Sequence, residues 1–206
     1  MGRTYAALGS YQDHGSLSLV AGTTESVVAE FRTAFARTAG LRFSFSLLKG
    51  SNAGEIAFRT DSRIVIESRG FRDPQKSIRN TLGRLVGVTF GVTHTVPPML
   101  WLEASLTQRL CDAEDAELLR VEDLGSNRCF VVAFGKTNSR MTVFIREDNF
   151  ALLRTVLQST TTTEQIEQIR ARFPNGAIPD FERTTTTTVS YEPTFGSAAL
   201  PDILEW

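Results

Sequence analysis

The sequence predicts an α+β fold, in which a large antiparallel sheet carries helices on one side. Three observations lead to this prediction. Apolar residues alternate with period two through the first third of the chain, the period becomes helical between residues 73 and 111, and alternation resumes after residue 117. This order of elements, with helices between two groups of strands, favours an α+β fold over an alternating α/β arrangement. At 206 residues the chain is expected to form a single domain, residues 1–206.

The first third of the chain predicts a five-strand meander. Every second residue from Leu41 to Leu47 is apolar, with arginine and serine between them, and residues 27–35 alternate in the same way. Further strands are predicted at 16–20, 55–60 and 63–68, the last two forming a hairpin.

Two helices are predicted in the middle of the chain. Asp73-Pro74 is typical of a helix start, with Asp at the N-cap and Pro at the first helical position. Apolar residues then follow at helical spacing as far as Val86. Pro97-Pro98 opens a second helix over 98–111. We expect helices 73–86 and 98–111 to lie across one face of the sheet.

The last third of the chain predicts a second meander. Its elements are strands at 117–124, 128–135, 140–146 and 152–160, a short polar helix at 164–172, and a threonine-rich strand at 184–191.

The composition of the chain disfavours several classes of function. A net charge of −1 gives no overall basic field for nucleic acid, so no nucleic-acid partner is expected. The chain has 14 Phe and only 2 His, which disfavours most enzymes and favours a protein that handles apolar material. No apolar stretch reaches the ~20 residues that span a bilayer. The first ten residues lack a secretory signal, which indicates a cytoplasmic protein or a mature form whose signal was removed.

Few residues suggest catalysis. No nucleophile elbow accompanies His14 or His94, so a hydrolase using either histidine is a minor alternative. No cofactor or metal is expected. One acidic cluster lacks the glycine and the spacing of a calcium loop and is interpreted as a solvated linker: Asp112, Glu114, Asp115 and Glu117.

The two cysteines, Cys111 and Cys129, fit no zinc pattern, which needs four ligands. They are either a disulfide, in a compartment that allows one, or two buried thiols.

Consecutive strands place much of the phenylalanine on one face of the sheet. That face contains Phe31, Phe35, Phe43, Phe45, Phe58, Ile64 and Ile66. It is either an ordinary core filled by the helices or the wall of an apolar cavity. A separate hypothesis is an interaction or scaffold module with a filled core, whose partner binds an arginine-rich surface: Arg59, Arg63, Arg69, Arg72, Lys76, Arg79 and Arg84.

Four parts of the sequence resemble a known family. They are Tyr5-Ala-Ala-Leu-Gly-Ser-Tyr-Gln-Asp-His-Gly15, the strand pair 31–45 with Phe-Arg-Thr-Ala-Phe-Ala-Arg and Leu-Arg-Phe-Ser-Phe, the hairpin 142–154, and the closing Thr-rich strand 184–194. In this order they resemble the outer-membrane lipoprotein-sorting (LolA/LppX-like) superfamily. Thr38, Phe144 and Arg146 stand where that family usually has Pro, Trp and Asp, and no N-terminal lipobox Cys is present. The chain is therefore identified as a divergent bacterial member.

The resemblance implies a strongly curved antiparallel sheet, a half-open barrel, with helices covering its concave face. It also implies a non-enzymatic, periplasmic or otherwise extracytoplasmic carrier of a lipid or lipoprotein acyl chain, with a membrane-associated protein as a further partner. The chain would be a monomer that does not span the membrane, and the resemblance favours a Cys111–Cys129 disulfide. The cavity would be lined by the seven residues above and, from the helical lid, by Leu82, Leu85, Met99 and Leu102. Since these side chains are apolar, binding is expected to ignore the headgroup.

Overall fold

A computed structural model of the chain describes residues 1–38, 40–49, 55–59, 64–68, 71–75, 78–100, 113–136, 138–172 and 183–196. Within these ranges the main element is a twelve-stranded antiparallel sheet. Its strands are β1 Ser10–Ala21, β2 Thr24–Ala36, β3 Gly40–Lys49, β4 Glu55–Arg59, β5 Ile64–Ser68, β6 Phe71–Gln75, β7 Glu117–Leu124, β8 Asn127–Lys136, β9 Ser139–Arg146, β10 Leu152–Thr161, β11 Arg183–Tyr191 and β12 Thr194–Phe195. The helices are α1 Gly2–Ala7, α2 Ile78–Leu85, α3 Val96–Leu100 and α4 Thr163–Arg172, and residues 92–94 form a 3-10 turn.

The strands form two meanders that one late strand joins. The order across the sheet is β6-β5-β4-β3-β2-β1-β11-β10-β9-β8-β7, and β12 pairs with the start of β1. Strand β11 therefore lies between the first strand of one meander and the last strand of the other. Strands β6 and β7 are the edges of the described sheet, which is curved and does not close. The fold class predicted from the sequence is confirmed.

One face of the sheet, here called the inner face, carries the core. Side chains of β1, β2, β3, β9, β10 and β11 meet those of α1, α2 and α3 in a single buried cluster. The period-two alternation of the strands produces this face, because every second side chain points to the same side of a sheet. The helices that follow the first meander therefore lie over the inner face.

The start of the first central helix is where the sequence prediction was wrong. Asp73 and Pro74 belong to β6, where they pair with Ile66 and Val65 of β5, and α2 begins only at Ile78. Proline has no N–H to donate, so it is tolerated in a strand at the edge of a sheet, and β6 is such an edge. The first meander consequently has six strands and not five.

The other elements follow the prediction closely, except at the ends of the chain. Strand β1 begins at Ser10, six residues before the predicted strand, and β12 was not expected. Helix α3 is described as far as Leu100, and the rest of the predicted helix 98–111 lies outside the described residues.

Candidate functional site

The predicted cavity residues fall together in the structure. The seven whose side chains are described belong to one cluster and are at most 3% exposed: Phe31, Phe35, Phe43, Phe45, Leu82, Leu85 and Met99. Leu102 and the side chains of Phe58, Ile64 and Ile66 lie outside what the structure describes. The sheet and the helices therefore meet as predicted, and the described part of this contact is packed.

Strand register divides the inner face into rows that run across both meanders. A buried row crosses from β2 to β9 and is at most 4% exposed; it consists of Ala29, Leu17, Val189, Thr155 and Val143. The next row, here called the apolar row, lies two residues further along each strand. It consists of Val27, Leu19, Thr187, Leu157, Met141 and Phe134.

The apolar row is less covered than the buried row beside it. Its five hydrophobic side chains are partly exposed, and its sixth member, Thr187, is buried. The inner face therefore continues as apolar surface beyond the fully packed core.

A third row, two residues further again, is polar on β9, β10 and β11, while its member on β1, Ala21, is apolar and buried. Thr185, Ser159 and Ser139 are paired across β11, β10 and β9 in this row. An open pocket of about 300 Å³ lies where β10 leads into α4. The pocket is lined by Ser159, Thr161, Gln165, Gln168, Ile169 and Arg172.

Aromatic residues close the opposite end of the inner face. Tyr5 of α1 has its ring centroid 5.5 Å from those of Tyr11 and Phe195. The Leu152 amide donates a 2.9 Å hydrogen bond to the Tyr5 hydroxyl. Arg37 donates to the carbonyls of Ala6 (2.7 Å) and Leu8 (3.0 Å), where α1 ends. These contacts fix α1 over the sheet.

A carboxylate, Asp13, is buried on the same face. Its Oδ2 accepts a 2.6 Å hydrogen bond from the Tyr11 hydroxyl, and its Oδ1 accepts one of 2.9 Å from the Thr33 amide. Burial raises the pKa of Asp13 to about 6, although both hydrogen bonds and nearby His14 oppose the shift. Burial and the Asp13 charge also raise the pKa of Tyr11.

A relay of hydroxyls connects the sheet to the segment before α3. Tyr191 of β11 donates a 2.8 Å hydrogen bond to Thr95 Oγ1, and Thr95 Oγ1 donates one of 2.6 Å to the Val92 carbonyl. Burial is the largest cause of the raised pKa of Tyr191. The segment that leads into α3 is therefore attached to the centre of the sheet by a buried polar contact.

Sequence reasoning missed these polar and aromatic members of the inner face. Tyr11, Asp13, Gly15 and Leu17 alternate with exposed or half-buried residues along β1. A carboxylate and a glycine at apolar positions conceal that alternation, so residues 10–15 were not predicted as strand. The spacing Tyr-x-Asp-x-Gly was the available indication.

The catalytic and metal candidates that the structure describes do not converge, and Asp112 lies outside the described residues. His14 lies in β1, exposed, with Nδ1 4.0 Å from Glu192 Oε2, and His94 ends the 3-10 turn. Asp115 of the acidic cluster accepts a 2.9 Å hydrogen bond from the Gly135 amide. Among the described residues no three His, Cys, Asp or Glu side chains are grouped to hold a metal. In the same residues no helix is long and apolar enough to cross a membrane.

Two further predictions concern residues that the structure describes only in part. Cys129 has a buried thiol that donates to the Asn127 carbonyl (3.4 Å), and burial raises its pKa. The thiol is free in this structure, but Cys111 lies outside the described residues, so the disulfide stays a prediction. In the arginine-rich stretch, only the side chain of Arg84 is described.

The fold and the site together define an open, curved antiparallel half-barrel whose apolar inner face is covered by helices. No protein-family model matches the chain, and no curated protein matches it. Similar solved structures include the Pseudomonas aeruginosa MucA/MucB complex, at 11% identity and a TM-score of 0.48 over 98% of this chain and 57% of that chain. Lipoprotein LppX of Mycobacterium tuberculosis is similar at 11% identity and a TM-score of 0.44 over 92% of this chain and 88% of that one.

A LolA superfamily protein of Nitrosomonas europaea is also similar, at 9% identity and a TM-score of 0.33 over 98% of this chain and 92% of that one. LolA and LppX, the two names in the resemblance stated from the sequence, thus both occur among these structures. The chain spans less than two thirds of the matched MucA/MucB chain.

Proposed function

We propose that the chain is a non-enzymatic carrier that binds the acyl chain of a lipid or lipoprotein between the inner face and the covering helices. The observation that supports this most is the apolar row. It extends the inner face with partly exposed hydrophobic side chains on β2, β1, β10, β9 and β8. Exposed apolar surface that continues a core is typical of a binding site.

The acyl chain would first cover the apolar row and then enter deeper between the sheet and the helices. The deeper part would be lined by Phe31, Phe35, Phe43, Phe45, Phe58, Ile64 and Ile66, with Leu82, Leu85, Met99 and Leu102 from the helices. The described members of this set are packed together, so α2 and α3 must move away from the sheet to admit a ligand. The apolar surface that is buried when the ligand binds contributes ~25 cal/mol per Å² to the free energy of binding. This contribution drives the replacement of helix packing by the ligand.

The described parts of α2 and α3 are held over the sheet by tertiary contacts, since most of the stability of a protein helix comes from packing and not from the helix itself. Their position depends on apolar packing and on the Tyr191–Thr95 contact. A ligand that replaces the packing can therefore displace them at moderate cost. An extracytoplasmic location and a membrane-associated protein partner would fit this role.

The proposal is tested by purifying the chain and looking for bound lipid by native mass spectrometry. A displacement assay with a fluorescent long-chain fatty acid provides the second measurement. We expect a bound lipid or a saturable, displaceable signal. If native mass spectrometry and the displacement assay both find no lipid, the carrier function is wrong.

A further inference from the structure

We propose that the pocket between β10 and α4 binds the anionic headgroup of the ligand whose acyl chain covers the apolar row. This inference depends on the carrier function proposed above and adds the class of ligand: a single-chain amphiphile with a carboxylate or phosphate headgroup. It replaces the sequence-based expectation that binding ignores the headgroup.

The pocket lies next to the apolar row on the same face of the sheet. Leu157 belongs to the apolar row, and Ser159 and Thr161 follow it on β10 at spacings of two residues. Side chains two apart share a face and lie ~7 Å from each other. Ser159 and Thr161 both line the pocket. The pocket therefore lies within two such spacings of Leu157, so a ligand bound on Leu157 would reach it.

The other wall of the pocket is one face of α4. Gln165, Gln168, Ile169 and Arg172 follow one another at spacings of three, one and three residues, which places them on the same side of a helix. Buried Ile166 fixes the helix from its flank. The polar wall thus belongs to a regular helix that follows β10 after one intervening residue.

The groups in the pocket match an anionic oxygen headgroup. Two hydroxyls and two amides supply hydrogen-bond donors, and Arg172 supplies a guanidinium that can bind a carboxylate or phosphate with two parallel bonds. Arg183 pairs with Thr161 across the sheet and adds positive charge on the same side. Glu164 is in the first turn of α4 but does not line the pocket.

The order of the three rows along the strands predicts the orientation of the ligand. On β9, β10 and β11 the buried row is packed, the apolar row has partly exposed hydrophobic members, and the third row is polar, all within about four residues of each of these strands. An amphiphile lies on such a surface with its chain toward the core and its headgroup toward the pocket. A ligand without a polar end would leave the pocket unused.

The test measures the affinity of the full chain for dodecyl phosphate, dodecanoate, dodecanol and inorganic phosphate by calorimetry or displacement. We expect both anionic amphiphiles to bind at least tenfold more tightly than dodecanol. Arg172→Gln should reduce this preference to less than threefold and leave dodecanol binding unchanged. Arg170→Gln is the matched control, because it makes the same charge change on α4 outside the pocket lining and should retain the preference.

The outcomes separate the two proposals. If dodecanol binds as tightly as the anionic amphiphiles, the headgroup site is wrong while the carrier function stands. If inorganic phosphate binds as tightly as dodecyl phosphate, the pocket is a site for free anions and the headgroup proposal is again overturned. If none of the dodecyl compounds binds, the carrier function itself fails.

Discussion

The ring of Phe31 lies directly over Gly15, its partner on the neighbouring strand. A Cβ built on Gly15 would be 2.1 Å from Phe31 Cζ and 2.5 Å from the Ser190 carbonyl oxygen. Tyr191, which pairs with Gly15 from the other side, packs edge-on against Phe31 with ring centroids 5.5 Å apart. The missing side chain of Gly15 thus makes the space in which two aromatic residues meet at the junction of the two meanders.

Gly15→Ala is expected to destabilise the chain by about 2–3 kcal/mol, because the added methyl overfills a packed site. Denaturant unfolding measures this change. Phe31→Leu in the same chain should restore only part of the loss, since the Ser190 carbonyl is backbone and stays close. Gly9→Ala is the control, because no heavy atom beyond the two neighbouring residues lies within 4 Å of its added Cβ. Equal stability of the Gly15 and Gly9 variants would contradict this packing.

Asp13 is expected to make stability fall as pH rises. Its pKa is about 6 in the folded chain, against the ordinary value of 3.8, so the folded chain binds the proton more tightly. The contribution of this group is therefore most favourable below pH 3.8, declines through pH 6 and is constant above it. A shift of this size corresponds to roughly 3 kcal/mol.

Unfolding free energies measured from pH 3.5 to 7.5 check this dependence. Asp13→Asn removes the titration, so its stability relative to the native chain should improve as pH rises. Tyr11→Phe keeps the carboxyl but removes the donor to Oδ2, and should cost more at pH 7.5 than at pH 4 because hydrogen bonds to charged groups are stronger. Parallel pH curves for the native and Asp13→Asn chains would overturn the assignment.

Tyr191→Phe is expected to loosen the segment before α3. The variant loses the hydroxyl that donates to Thr95, at a cost of about 1 kcal/mol, and keeps the aromatic packing. Amide hydrogen exchange over residues 92–96 should accelerate several-fold. Ser190→Ala removes a hydroxyl from the adjacent residue, whose side chain faces the other side of β11, and should leave this exchange unchanged. Unaltered exchange in Tyr191→Phe would mean that packing alone holds the segment.

Leu157→Glu is expected to abolish acyl-chain binding, because it places a negative charge in the apolar row, next to the pocket proposed for an anionic headgroup. Leu157 is partly exposed, so the glutamate carboxylate can reach water and the fold should survive. Gln158→Glu introduces the same side chain on the opposite face of β10 and should bind normally. Fluorescent fatty-acid displacement compares the two variants, with circular dichroism as the check on folding. Equal binding by both would place the ligand elsewhere.

The strands of the second meander were predictable almost to the residue, because turns and alternation mark each of them. The buried positions from Phe31 to Phe45 were predictable for the same reason. Residues 71–75 were not predictable as a strand. Asp73-Pro74 is typical of a helix start when it is considered alone, but proline is tolerated in a strand at the edge of a sheet, and here β6 pairs with β5. Asp13 and Gly15 were missed because their types are typical of turns, whereas hydrogen bonds and an overlying ring place them in a buried strand.

The sequence by itself determined which residues alternate, and therefore which side chains share the inner face along each regular stretch of strand, because side chains two residues apart in a strand point to the same side. The tertiary structure decided how these faces join. Placement of β11 between β1 and β10 aligns residues far apart in the chain into rows, and no local pattern encodes that pairing. The polar pocket depends on the same placement together with the return of α4 onto the sheet. Phenylalanine content thus predicted an apolar face, and long-range pairing decided where that face is packed, partly exposed or polar.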